Sequence, residues 1–218
     1  MSFSAWRTRQ PVRAMFKLHI VDWSKRRAYQ HHLERYFSIR YEIYVLGRNW
    51  EQIDRPIPLE IDAFDTRDAI YLLGIGDDGD IVGGSRLIPT TGPHLLSDVF
   101  PILAGGAPPR GPDLYEWTRF FISPPLRVRG GSSQAAGVVL CGLLEACLRL
   151  GIGKLSVVCE EFWPERLERL GWSVVRLGEV LDHPDGRIVA VLIQISGDAL
   201  RSTRVAYRLG DTSVLAED

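Results

Sequence analysis

Between residues 60 and 119 the chain repeatedly sets charged side chains inside bulky apolar sequence. The segments are E-I-D-A-F-D from Glu60, G-G-S-R-L-I-P-T-T from Gly83, L-S-D-V-F-P from Leu96 and Y-E-W-T-R-F from Tyr115. Charges among hydrophobes are expensive to desolvate, so four such segments in succession constrain the fold to one that gathers them into a binding or catalytic pocket.

The rest of the chain supplies a frame for that pocket. At 218 residues, 45% hydrophobic and 24% charged, it is long enough to bury a substantial core as one domain. A single domain is expected over 15–210, with 1–14 a disordered extension and 211–218 a flexible tail. The formal charge of −1 offers no field to recruit nucleic acid or an anionic membrane. No apolar run is long enough to insert in a bilayer, and the N-terminus lacks a signal-peptide core. Cys141, Cys147 and Cys159 read as buried thiols in a reducing, cytoplasmic setting.

Periodicity alternates strands with helices. Strands are expected at 16–22, 69–75, 81–89, 113–122, 154–159, 172–177 and 187–195, and helices at 26–46, 97–103, 133–150 and 161–170, with a terminal helix after 198. Asp22 to Ser24 offer an N-cap, and Asp77-Asp78-Gly79-Asp80 a hairpin turn. The long 48–68 connection, with Trp50, Glu60, Asp62 and Asp65, reads as a functional loop. About seven strands with flanking helices give an α/β layered domain with a mixed sheet.

Within these elements several residues stand out. The stripe Leu33, Phe37, Arg40, Tyr44 puts a guanidinium on an apolar helix face, where it either snorkels to solvent or faces a cleft and binds a carboxylate. Gly84 and Ser85 leave room beside Arg86 for something to approach the backbone. Strict alternation would place Glu116 and Arg119 on opposite faces of their strand, so both serve one pocket only if the strand is bulged or the cleft wraps its edge. Arg127, Arg129, Gly130, Gly131 and Ser132 open the 133–150 helix, either as a phosphate cradle or as a flexible loop before an ordinary serine cap.

The five histidines are scattered without ligand spacing, which disfavours a metal site. No nucleophile elbow, Walker loop or dinucleotide fingerprint is present. What remains is acids at Glu60, Asp62, Asp65 and Glu116 with bases at Arg40, Arg86 and Arg119, a set suited to an amino-acid-like zwitterion. With a phosphate cradle, acyl transfer from a phosphopantetheine thioester to an amine is the natural reaction.

The ordered set Arg40, Tyr44, Trp50, E-I-D-A-F-D, R-L-I-P-T, L-S-D-V-F-P and Y-E-W-T-R-F resembles the bacterial N-acyl-homoserine-lactone synthases, the LuxI-type autoinducer synthases, over residues 16 to about 195. Arg40, Trp50, Asp62, Asp65, Arg86, Phe100, Glu116 and Arg119 match its signature; Tyr44 stands where the family usually has Phe. The resemblance implies a GNAT-like three-layer α/β/α fold with a central mixed, mostly antiparallel sheet. It implies no cofactor, with S-adenosylmethionine and an acyl thioester as substrates and lactonisation releasing methylthioadenosine. Glu116 would be the base; Asp62, Asp65, Arg40 and Trp50 would hold the substrate folded, while Arg86 and Arg119 order the acids. R-V-R-G-G-S approximates the CoA pyrophosphate loop of acetyltransferases and tilts the donor toward acyl-CoA, acyl carrier protein being the alternative. Val157, Val158 and Cys159 replace the threonine common in 3-oxo-specific members, and Trp117, Phe162 and Trp163 crowd the acyl pocket toward a short, branched or aryl group. Two rivals stand: a GNAT acetyltransferase acting on another amine, and a non-catalytic S-adenosylmethionine sensor.

Overall fold

The computed structural model describes residues 16–48, 56–128, 133–184 and 186–217. β1 (Lys17–Val21) leads through a 3-10 turn at Trp23–Lys25 to α1 (Gln30–Arg40), and Asp22 caps that turn by accepting from the Ser24 and Lys25 amides. The helix does not run unbroken to residue 46, as its side-chain stripe suggests, but widens into a π-helical turn at Tyr41–Leu46. β2 (Ile70–Ile75) and β3 (Ile81–Pro89) form the expected hairpin, Gly79 taking the left-handed conformation in its turn.

The helix expected at 97–103 is split. α2 covers only Leu95–Asp98, and a 3-10 turn at Pro101–Ala104 follows. Pro101 accounts for the break, since the residue before a proline is pushed out of the helical region. β4 (Leu114–Ile122), α3 (Gln134–Leu150), β5 (Lys154–Glu160), α4 (Trp163–Arg169) and β6 (Ser173–Arg176) come next. The Pro184 loop carries an unforeseen short strand, β7 (Leu181–His183), which pairs with β8 (Gly186–Gln194), and α5 (Gly197–Tyr207) closes the fold.

Among the described residues the sheet has eight strands in the order β1-β2-β3-β4-β5-β8-β6, with β7 on β8. Every pairing is antiparallel except β4 with β5. One face packs on α3, which is buried from Ala135 to Cys147, and on α5. The opposite face carries α1, packed through Leu33, Tyr36 and Ile39, and separately α2 through Leu96. The room beside Arg86 is filled from within: a Cβ on Gly84 would stand 2.8 Å from the Tyr36 ring, so this glycine lets α1 lie against β3. The segment expected as a flexible tail packs down instead. Val214 and Leu215 are buried, and Leu18 bonds the Val214 carbonyl and the Ala216 amide.

Candidate active site

Two irregularities in β4 make the site. Against β3, Gly84 pairs with Phe121 and Arg86 with Thr118, so β4 carries one extra residue over this stretch. That extra residue is a β-bulge, and Arg119 sits in it with φ 55°. The bulge resolves the parity conflict: Glu116 and Thr118 already share a face with Arg86, and the re-aimed Arg119 joins the acids there. The second irregularity is a split. β5 pairs with β4 only from Leu114 to Glu116, against Lys154 to Ser156, although both strands run on. Beyond that point they part and leave a cavity of about 200 Å³.

On the α1 face, three guanidinium and three carboxylate groups close into one network. Arg40 holds Asp65 through two bonds of 2.9 Å and Glu60 through its Nε. Arg86 holds Asp62 at 2.6 and 2.8 Å, reaches Asp65 at 2.7 Å, and donates from Nε to the Thr118 hydroxyl. Arg119 spans Glu60 at 2.9 and 3.0 Å and Asp62 at 2.8 Å. Tyr71 donates its hydroxyl to Asp65, and the Asp62 amide bonds Asp65 at 2.8 Å. Arg40 is fully buried and therefore does not snorkel; the carboxylates it binds belong to the protein. Asp62, at 11%, and Arg119, at 9%, are its most exposed side chains, so the network's open edge lies there.

Electrostatics separates the acids. Burial opposes ionisation of Glu60, but the guanidinium groups of Arg119 and Arg40 overcome it and hold its carboxyl down at about 2. Asp65, also buried, is kept well below the usual carboxylate range by Arg40 and Arg86. Glu116 behaves oppositely: burial pushes it up to about 7, against the amides of Leu96 and Leu95, which each donate to it at 2.7 Å. Of these three acids it is the one poised near neutral pH. It sits behind the cavity wall, where Thr118, two residues further along the same face, is exposed to the cavity.

The cavity passes through the split in the sheet. Val157 and Val158, on opposite faces of β5, both line it. One lobe is polar, with Tyr44, Arg48, Thr118, Arg119 and Glu160; the other is aromatic, with Trp117, Phe120 and Trp163. In the aromatic lobe Phe120 meets Trp163 at 5.5 Å and Trp117 at 5.7 Å, edge to face. Phe100 lines the cavity, packed on His183 at 5.6 Å. Cys159 also lines it, but burial pushes its thiol up to about 12, so it stays protonated and is a poor acyl acceptor.

Not every expected residue arrives. Phe162 is more than half exposed and stacks on the outside of Trp163, so it does not line this cavity. Trp50 and the loop residues Arg129, Gly130, Gly131 and Ser132 lie outside the described residues. Arg127 is exposed and bonds the Ile122 carbonyl, while Ser133 caps α3 through the Ala136 amide. Conversely, Arg48, Thr118, Phe120, Glu160 and His183 are cavity residues that sequence reasoning passed over. Thr118 was legible, since alternation puts it beside Glu116; the others meet only because the strands split. Among the described residues no group of three or more His, Cys, Asp or Glu side chains is placed to hold a metal ion, and no helix is long and apolar enough to cross a membrane.

A mixed sheet split at one parallel pair, with a bulge in β4 beside the split, is a GNAT-like fold. Escherichia coli ElaA shares this fold at 17% identity and a TM-score of 0.55. A family model described as autoinducer synthase matches residues 8–203. The isovaleryl-homoserine lactone synthase of Bradyrhizobium diazoefficiens is 36% identical over 163 residues, covering 74% of this chain and 72% of that one. The solved structure of MesI, a CoA-dependent acyl-homoserine lactone synthase, is 54% identical with a TM-score of 0.84, covering 93% of this chain and all of that one. That of BjaI, solved with SAM and isopentyl-CoA, is 30% identical with a TM-score of 0.86 and covers 93% of each chain. The chain belongs to the autoinducer synthase family, the acyl-homoserine-lactone synthases, and is an acyltransferase.

Proposed function

We propose that the protein transfers a short, branched or aryl acyl group, without a 3-oxo substituent, from coenzyme A to the α-amino group of S-adenosylmethionine, and then closes the product to the lactone. The observation that carries this reading is the cavity through the β4–β5 split, lined by Tyr44, Arg48, Thr118, Arg119 and Glu160 on one side and walled by Trp117, Phe120 and Trp163 on the other, with Arg119 linking it to the buried acids Glu60 and Asp62. A zwitterion fits the first lobe and a compact apolar chain the second. The CoA dependence of the relatives MesI and BjaI supports coenzyme A over acyl carrier protein as donor.

The α-ammonium group, with a pKa of about 8, must lose a proton before it attacks the thioester carbonyl. Glu116, poised at about 7, is suited to take it, the proton passing through the Thr118 hydroxyl or a water at the same depth. Glu60 and Asp65 are too acidic for that task and stay ionised as the frame. The amine nitrogen forms the amide bond as the thiolate of coenzyme A leaves. In the second step the methionine carboxylate attacks the carbon next to the sulfonium, the C–S bond breaks, and methylthioadenosine carries off the electron pair. Asp62 at the network's open edge, with Tyr44, Phe100 and Trp50, holds the substrate in the folded conformation this ring closure needs. The bland alternative, in which the loop around 127–132 is only a connection, leaves the chemistry unchanged.

Purified protein incubated with S-adenosylmethionine and matched acyl groups on coenzyme A and on acyl carrier protein tests the reading. Methylthioadenosine release and a lactone mass are expected with the CoA donors. An acetylated amine without methylthioadenosine would instead establish the plain acetyltransferase, and binding without turnover the sensor.

A further inference from the structure

The substrate proposed above brings an α-carboxylate as well as an ammonium, and the buried network has no cation to offer it. Its three guanidinium groups already face three carboxylates at 2.6–3.0 Å, Arg40 on Asp65, Arg86 on Asp62 and Arg119 on Glu60. Drawing one of them away would strand a buried protein charge.

Arg48 is placed differently. It follows the π-helical turn and lines the polar lobe, and it forms an ion pair of 2.9 Å with Glu160 at the end of β5. Both side chains are partly exposed, 42% and 26%, so the pair is easily exchanged. Its guanidinium also approaches the Tyr44 ring at 6.0 Å, the ring that Arg119 approaches at 5.1 Å, which sets Arg48 one aromatic ring away from the open edge of the network.

We propose that Arg48 is the cation that receives the substrate's α-carboxylate, with Glu160 as its resting partner in the empty site. On binding, the carboxylate replaces Glu160 on the guanidinium, and Glu160 is released to solvent. For lactonisation the exchange reverses. Glu160 reclaims Arg48, and the released carboxylate oxygen forms the C–O bond as the C–S bond breaks and its electron pair goes to the sulfur of methylthioadenosine. A pair buried as deeply as Arg40–Glu60 could not make this exchange.

The proposal rests on the synthase reading of the site, and its test separates the two. Calorimetry would measure S-adenosylmethionine, its decarboxylated analogue and methylthioadenosine on the parent and on Arg48→Met. The parent is expected to prefer S-adenosylmethionine over the decarboxylated analogue by about 10- to 100-fold, the range of a charge-assisted contact. Arg48→Met should lose that factor for S-adenosylmethionine alone, leaving the analogue and methylthioadenosine at parental affinity, which also shows that the variant is folded. Glu160→Gln should tighten S-adenosylmethionine by removing the competitor. Equal losses for both ligands, or none for S-adenosylmethionine, would overturn the assignment. A parent that binds neither S-adenosylmethionine nor methylthioadenosine would sink the synthase reading itself.

Discussion

Asp65→Asn tests whether the buried network acts as one unit. The Asp65 side chain is 2% exposed and accepts from Arg40 twice at 2.9 Å, from the Tyr71 hydroxyl and from the Asp62 amide, with Arg86 at 2.7 Å. The amide keeps the shape but removes one negative charge and one acceptor oxygen, leaving Arg40 and Arg86 to share two carboxylates with Arg119. Breaking a buried pair by neutralising one partner costs about 3–5 kcal/mol. At a urea slope of about 2–3 kcal/mol per molar, the midpoint should fall by roughly 1–2.5 M at pH 7. The pH dependence supplies a second signature. Because Asp65 is held below its unfolded value of about 3.9, its stabilisation is fully present above that value and is lost as pH falls through it toward the folded pKa. The gap between parent and variant should therefore narrow below about pH 4. Asp80→Asn is the control, since its pair with Arg35 is half exposed and worth about 0–1 kcal/mol. A loss at Asp65 no larger than at Asp80, or one that does not change between pH 6 and 3, would refute the picture of a closed network.

Three further outcomes are expected. In the parent, kcat/KM should rise with pH through an apparent pKa near 7 as Glu116 ionises, and Glu116→Gln should lower it by about 100-fold or more and remove that limb; an unchanged profile would dismiss Glu116 as the base. Trp163→Ala should open the aromatic lobe, and in competition among CoA donors of graded length the preference should move toward longer chains by about tenfold or more, read by product mass. Gly137→Ala should destabilise without touching the site, because its Cβ would stand 2.2 Å from the Tyr207 ring where α3 meets α5. The expected loss is about 1–3 kcal/mol, seen as a Tm lowered by roughly 3–10 °C, and an unchanged Tm would show that α5 shifts freely.

Much of the frame was legible because strand periodicity and turn chemistry act locally. β3 begins and ends where alternation places it, and β2 and β4 differ from expectation by one residue at an end. The bulge was legible as a necessity rather than a shape: Glu116 and Arg119 could serve one pocket only through an extra residue, and Arg119 is that residue. The π-helical turn was not, because a changed hydrogen-bond register at Tyr41 leaves the stripe of Phe37, Arg40 and Tyr44 looking continuous. Nor was the aromatic lobe. Phe162 and Trp163 are adjacent and equally aromatic in sequence, yet Trp163 enters the cavity while Phe162 points out, a consequence of where α4 begins. Arg48 and Glu160 are 112 positions apart and meet only where β4 and β5 separate.

Charge accounting explains why a chain would bury so many ionised groups that contribute little to stability on balance. Arg40, Arg86 and Arg119 balance Glu60, Asp62 and Asp65, and Arg48 balances Glu160, leaving Glu116 as the unmatched charge when it ionises. S-adenosylmethionine, with a sulfonium, an ammonium and a carboxylate, carries one net positive charge. On the proposed reading the loaded site is then neutral, and a proton passing from the amine to Glu116 leaves the total unchanged. In low-dielectric surroundings a transfer that conserves the total charge would lower the electrostatic barrier to making the nucleophile. It also accounts for a base tuned close to the pKa of the amine it must deprotonate, since no other imbalance is left to drive the transfer. Burial sets that tuning, and burial of Glu116 depends on α2 standing over it to donate the Leu95 and Leu96 amides.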